Sequence, residues 1–237
     1  MPIEIVSDNT TGVGTGTYSG VDDNGLQELS PTTNNGSAAS FYVSKYSTGD
    51  FQNGVLKFTG LSNIPTNATV TSVTIGLYVI ESGTNTQNLD FRRLLRDWVE
   101  AEATWNIYST GNNWTTAGGS SAGNDRVDAI SGSLSAETTL NQFYTVTQSS
   151  GGLVDDVQAW ISGSASNYGW HIEKEGAGND EQFKRITSTE GTDGNRPYLS
   201  VTYTVPAGAG EPATGQPFHR RFWGIPGHAG YNIGGHH

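Results

Sequence analysis

Residues 55–80 read VLKFTGLSNIPTNATVTSVTIGLYVI. In the second half of this stretch Val70, Val73, Ile75, Leu77 and Val79 fall on a mostly two-residue period, with β-branched residues throughout. Strand side chains point alternately to two faces, so the spacing predicts a half-buried strand rather than a helix. The same signature recurs in both directions along the chain. YLSVTYTV (Tyr198–Val205) puts Leu199, Val201, Tyr203 and Val205 on one face, the pattern of an antiparallel strand with one wet side. FYVSKY (Phe41–Tyr46), Val55–Phe58, Tyr144–Thr147 and Trp170–Glu173 repeat it. Two stretches carry helical spacing. In Ser150–Gly163, Leu153, Val154, Val157, Trp160 and Ile161 form an apolar stripe that Gly163 ends. In Leu89–Trp105, Leu94, Leu95, Trp98 and Val99 fit a helix, and a strand running into a turn fits equally. No repeat of fixed period is present. The expected fold is all-β: an antiparallel β-sandwich or jelly-roll with one or two short helices and an extended C-terminal arm.

Composition agrees. In 237 residues there are 32 Gly, 10% aromatics and 34% hydrophobics, which suits short strands joined by many turns. With Cys 0, disulfides and thiolate metal sites are excluded. Twelve Lys and Arg against 23 Asp and Glu give a net charge of -11, so phosphate backbones would repel the chain and nucleic acid is not expected as a partner. No apolar run approaches a membrane span, and the opening Met-Pro-Ile-Glu-Ile-Val lacks the basic and apolar regions of a signal peptide.

Three zones follow. Residues 1–40 form a turn-rich segment joining the sandwich, with room for one or two strands. Residues 41–205 hold nearly all strand signals. Residues 206–237 are of another kind, with eight Gly, four of the five His, Arg220 and Arg221, and Glu211 as their one acidic residue. Phe218, Phe222, Trp223 and Tyr231 are spaced among Gly and Pro and so cannot build a core of their own. Aromatic and Arg anchors on an acidic body point to a partner-binding arm, with Phe218, Arg220, Arg221, Phe222, Trp223 and Tyr231 as its contacts.

Four motifs in order resemble DNRLRE-type domains. These are VLKFTGLSNIPTNATVTSVTIGLYVI, then WVEAEATWN (Trp98–Asn106), then LVDDVQAWISG followed by NYGWHI, and finally ITSTEGTDGNRPYLSVTY (Ile186–Tyr203). The last departs from the usual pattern in its Ile-Thr-Ser-Thr-Glu run. The resemblance spans roughly 40–205 and implies a β-jelly-roll of the carbohydrate-binding-module type, usually an accessory module, without implying catalysis. GQPFHRRFWGIPG in the arm resembles C-terminal tails of bacteriophage structural proteins.

Candidate sites are few. His171 is the one histidine outside the arm, too little for a Ser-His-Asp site, and reads as a strand histidine. Asp97, Glu100, Glu102, Glu173 and Glu175 offer carboxylates for glycoside hydrolysis, but acids at loop ends are ordinarily solvated, so no enzyme is expected. Asp22-Asp23-Asn24-Gly25 and Asn179-Asp180-Glu181 read as oxygen-rich loops that suit a structural calcium, without EF-hand spacing. His236 and His237 alone make a poor metal site. Trp98, Trp105 and Trp160 have apolar neighbours and read as core. Trp114 lies in the polar loop YSTGNNWTTAGGSS (Tyr108–Ser121), and with Tyr108 it is the candidate exposed platform for a sugar ring.

The reading is a non-catalytic interaction protein. First comes a phage virion component, a head-decoration or tail-associated protein anchored to other subunits by its arm and self-associating. The alternative is a module that binds cell-surface or extracellular polysaccharide.

Overall fold

The computed structural model describes residues 1–45, 49–174 and 182–206. They contain β1 (Ile3–Ser7), β2 (Val21–Gln27), β3 (Ser40–Lys45), β4 (Phe51–Phe58), β5 (Thr69–Ser82), β6 (Gln87–Arg93), β7 (Ile107–Ser109), β8 (Asn112–Asn113), β9 (Gly132–Ala136), β10 (Gln142–Gln148), α1 (Gly152–Ser162), β11 (Trp170–Lys174), β12 (Phe183–Thr187) and β13 (Tyr198–Thr204). Every pairing between these strands is antiparallel.

β5, the strand that opened the sequence argument, is the spine. One of its edges carries β13 along residues 69–76 and then β12 along 79–82, and its other edge carries β10 along 73–79. Register shifts at Thr202/Tyr203 and at Arg185/Ile186 mark bulges, which strengthen the local twist and let one strand serve both sides of the fold. Hydrogen-bonded neighbours run β1-β13-β5-β12-β3-β4-β11-β6-β9, with β2 also on β4. β9 comes back beside β10, so the sheet curls almost into a closed tube. β7 and β8 form a separate two-stranded ribbon.

The inward faces make the main core. Val73, Ile75, Leu77 and Val79 of β5 meet Leu56 and Phe58, Leu89 and Phe91, Trp170 and Ile172, and Leu199 and Val201. α1 contributes Leu153, Val154, Val157, Trp160 and Ile161, the stripe its spacing predicts. The Trp160 and Trp170 ring centroids lie 4.5 Å apart, and Trp170 Nε1 donates to Asp156 Oδ2 at 2.9 Å, which ties the helix to the sheet. Paired Gly25 and Gly54 on β2 and β4 leave room for Phe41, whose Cβ a side chain at Gly25 would strike and whose ring one at Gly54 would strike.

Leu89–Trp105 resolves as a strand running into a turn. Leu89 and Phe91 on β6 alternate into the main core, while Leu94 and Trp98 beyond it turn into a second core and leave Val99 exposed. That second core also holds Leu26, Val55, Ala103, Trp105 and Trp114. It covers part of the outer face of the β4-β11-β6 sheet with the irregular segment after β6. Trp98, Trp105 and Trp160 are buried as expected.

Candidate functional site

Alternation on β6 and β11 builds the site. Where Leu89, Phe91, Trp170 and Ile172 point inward, Asp90, Arg92, His171 and Glu173 must point outward. Antiparallel pairing sets Asp90 beside Glu173 and Arg92 beside His171. His171 stays buried, while Asp90, Arg92 and Glu173 emerge from beneath the second core into a groove of about 960 Å³, which Ser44 and Lys45 of β3, Phe51 and Asn53 of β4, Lys174, Trp105 and the loop residue Arg126 also line.

Its charge is unlike the rest of the chain. Lys45, Arg92, Arg126 and Lys174 face Glu28, Asp90 and Glu173, so the groove carries a slight positive excess while the whole chain stands at -11. Arg92 Nε donates to Glu173 Oε1 at 2.7 Å, and Arg126 Nη2 donates to Oε2 at 3.3 Å. Burial pulls the Arg126 guanidinium below its usual pKa, and Glu173 pushes the other way. His171 is fully buried and its pKa is lowered, chiefly by that burial. The ring is then neutral at pH 7. Its Nε2 lies 2.9 Å from the Gly118 carbonyl, which only accepts, so Nε2 carries the proton. Two donor groups in the groove lining, Arg126 Nε and Ser44 Oγ, are buried without a protein partner. Orphaned buried donors are uncommon.

Trp114 does not present the expected platform. It is 4% exposed, sealed in the second core, with Nε1 donating to the Thr104 carbonyl at 2.9 Å. Its neighbours in sequence are polar, and its apolar neighbours come from distant segments. Tyr108 is half-buried against it, ring centroids 5.4 Å apart, with the Arg96 guanidinium 5.7 Å from the Tyr108 ring. Neither ring lines the groove.

The carboxylates disperse. Glu173 is in the groove, Glu102 accepts the Thr110 amide, Asp97 is exposed, and Glu175 lies outside the described residues. Asp22-Asp23-Asn24-Gly25 is no loop but part of β2. Asp22 pairs with Lys57 at 2.9 Å, and Asn24 donates to the Glu100 and Ala103 carbonyls. That leaves Asp23, whose carboxylate comes within 4.8 Å of those of Glu100 and Glu190. Asp23 Oδ2 accepts the Thr189 amide at 2.7 Å, and Glu100 Oε1 accepts the Asp23 amide at 2.8 Å. Burial raises Asp23 well above its ordinary pKa and lifts Glu100 to about 7. The cluster therefore holds protons near neutrality, and a hard cation would have to displace them. Asn179, Asp180, Glu181, His236 and His237 lie outside the described residues, as do the arm residues Phe218, Arg220, Arg221, Phe222, Trp223 and Tyr231.

Sequence reasoning missed Lys45, Ser44, Arg92, Arg126 and Lys174. The outward phase of β6 and β11 is a signal for Arg92. Arg126, in a loop, gave none.

A curled antiparallel sheet with charged side chains along a groove on its outer face puts the chain in the β-sandwich class. Residues 15–203 match carbohydrate-binding module family 96, and the chain belongs to that family. Over 155 residues, 65% of the chain, it is 31% identical to the tRNA nuclease WapA of Bacillus subtilis (strain 168). The tRNA(Glu)-specific nuclease WapA of Bacillus subtilis subsp. natto (strain BEST195) is matched over the same length at the same identity. The match covers 5% of either relative, so the name of each describes a protein far longer than the shared segment.

Proposed function

We propose that the chain binds polysaccharide along the outer-face groove, at a cell surface or in the extracellular space, without chemistry of its own. The observation that carries this reading is the groove itself: a lining rich in donors, in a protein of a carbohydrate-binding family. Sugars are rich in acceptors, and their hydroxyls meet Arg, Lys, Ser and Asn side chains well. Trp105 and Phe51 supply apolar wall rather than an open stacking platform, so hydrogen bonding carries most of the recognition. The family match favours this alternative over the virion component that the sequence reading put first. No helix among the described residues is long and apolar enough to cross a membrane. Affinity electrophoresis against a panel of neutral and acidic polysaccharides tests the proposal. Retardation by at least one, lost in Arg92→Ala with the fold retained, is the expected result. Retardation that survives Arg92→Ala places binding elsewhere.

A second role is proposed for the arm. The last strand ends at Thr204 and the family match at residue 203, which leaves a segment whose charge balance is the reverse of the body's. Its Arg and aromatic residues suit docking on an acidic protein surface, such as a neighbouring subunit.

A further inference from the structure

Glu173 occupies the strongest anion-binding position in the groove. Both of its oxygens are taken, Oε1 by Arg92 Nε at 2.7 Å and Oε2 by Arg126 Nη2 at 3.3 Å. The side chains of Arg92, Arg126 and Glu173 are all largely shielded from water, which strengthens such contacts. His171 adds no support. Its Nδ1, 3.7 Å from Glu173 Oε2, has no hydrogen-bond partner, and in the neutral ring it is a bare acceptor facing a carboxylate. Asp128 comes only to 4.0 Å from either guanidinium, and its side chain is 85% exposed. One carboxylate of the protein thus neutralises a pair of arginines shaped to receive a carboxylate from outside.

We propose that Glu173 is a built-in competitor for sugar carboxylates: it holds the Arg92–Arg126 pair as a uronate would, and so sets the charge class of polysaccharide the groove accepts. This rests on the groove being the glycan site. A uronate unit must displace Glu173 to reach the two arginines. A neutral unit has no such need, because it can use lining donors that Glu173 does not engage, such as the partly exposed Lys45 ammonium. Selectivity then comes from an opposing charge rather than from a better fit.

The test is calorimetric titration of the full chain and its variants with hexamers of galacturonate, glucuronate and mannuronate, and with the methyl ester of each. Glu173→Gln keeps the shape and removes the competing charge. It should bind at least one free-acid hexamer about tenfold or more tighter than the native chain, while affinity for the esters changes less than about threefold. Asp128→Asn makes the same charge change outside direct contact and should stay within about threefold of native for every hexamer. Glu173→Asp, which draws the carboxylate back by one methylene, should show a smaller gain in the same direction, and it carries the test if circular dichroism shows Glu173→Gln unfolded. An unchanged or weakened free-acid affinity in the Glu173 variants, or an equal gain in Asp128→Asn, overturns the competitor and leaves the groove reading standing. No binding of any hexamer or ester by any of the proteins overturns both.

Discussion

Trp114 shows how far one residue's role depends on residues remote in sequence. A tryptophan among Asn, Thr and Gly invites the reading of an exposed ring, yet it is buried in one core with Leu26, Val55, Leu94 and Trp98. Trp114→Ala should therefore act on stability: a loss of about 3–5 kcal/mol in chemical denaturation, the range for a buried large aromatic. Unchanged stability with lost glycan affinity would return Trp114 to the role of a platform. The carboxyl cluster makes a pH prediction. Glu100 titrates near 7 in the folded chain against an ordinary value of 4.5, and Asp23 is displaced in the same direction, both chiefly by burial. Between those pH values the folded state holds more protons than the unfolded state, so this cluster's contribution to stability falls as pH rises from about 4.5 through 7. Glu100→Gln keeps the acceptor for the Asp23 amide and removes one titration. Its melting temperature, compared with the native chain across that window, should gain most at the alkaline end. A difference that does not vary with pH would refute the cluster's proton sharing.

At the scale of elements, α1 was legible because its apolar residues repeat every three to four positions and a left-handed Gly163 stops it. Its start was not. Gly151 precedes the helix without a side-chain cap, and the Leu153 amide finds its acceptor in Gln148 at the end of β10. Gly152 packs so closely on the Ser131 carbonyl that a Cβ would collide with it, whereas Gly163 faces open space. Alanine normally favours a helix over glycine. Here Gly152→Ala should destabilise the protein by about 2 kcal/mol or more, and Gly163→Ala by about 1 kcal/mol, the latter from its left-handed backbone alone. Thermal melts of the two variants check the order, and a more stable Gly152→Ala would show that the helix start shifts freely. The Leu89–Trp105 stretch was ambiguous for a physical reason. The residues that fit a helix, Leu94, Leu95, Trp98 and Val99, lie in the irregular segment after β6, where Leu94 and Trp98 enter the second core four residues apart without a helix.

At the scale of the molecule, residues 1–206 form one compact unit that ends just after the last strand. A chain ending at Pro206 should keep the native melting temperature within a few degrees and keep its polysaccharide affinity, because every described residue of the two cores and of the groove lies before that point. Differential scanning calorimetry and the same electrophoresis assay read both. If the arm docks on a neighbouring subunit, truncation should abolish self-association in sedimentation, and unchanged sedimentation would remove that role.

What the amino-acid order determined by itself was everything carried by short-range period: the all-β class, the inward residues of β5 and β13, the stripe of α1, and the burial of Trp98, Trp105 and Trp160. Period is local, since the alternation of a strand and the turn of a helix are properties of the backbone within a few residues. The groove was decided only by the tertiary structure. Lys45, Arg92, Arg126 and Glu173 come from a strand end, two strand interiors and a loop, and no spacing announces that curling the sheet brings them together. The same holds for Trp114 in its second core and for Asp23, Glu100 and Glu190, whose neighbours are set by which strands pair and which face a covering segment takes. Those choices follow from burying the whole chain's apolar surface at once.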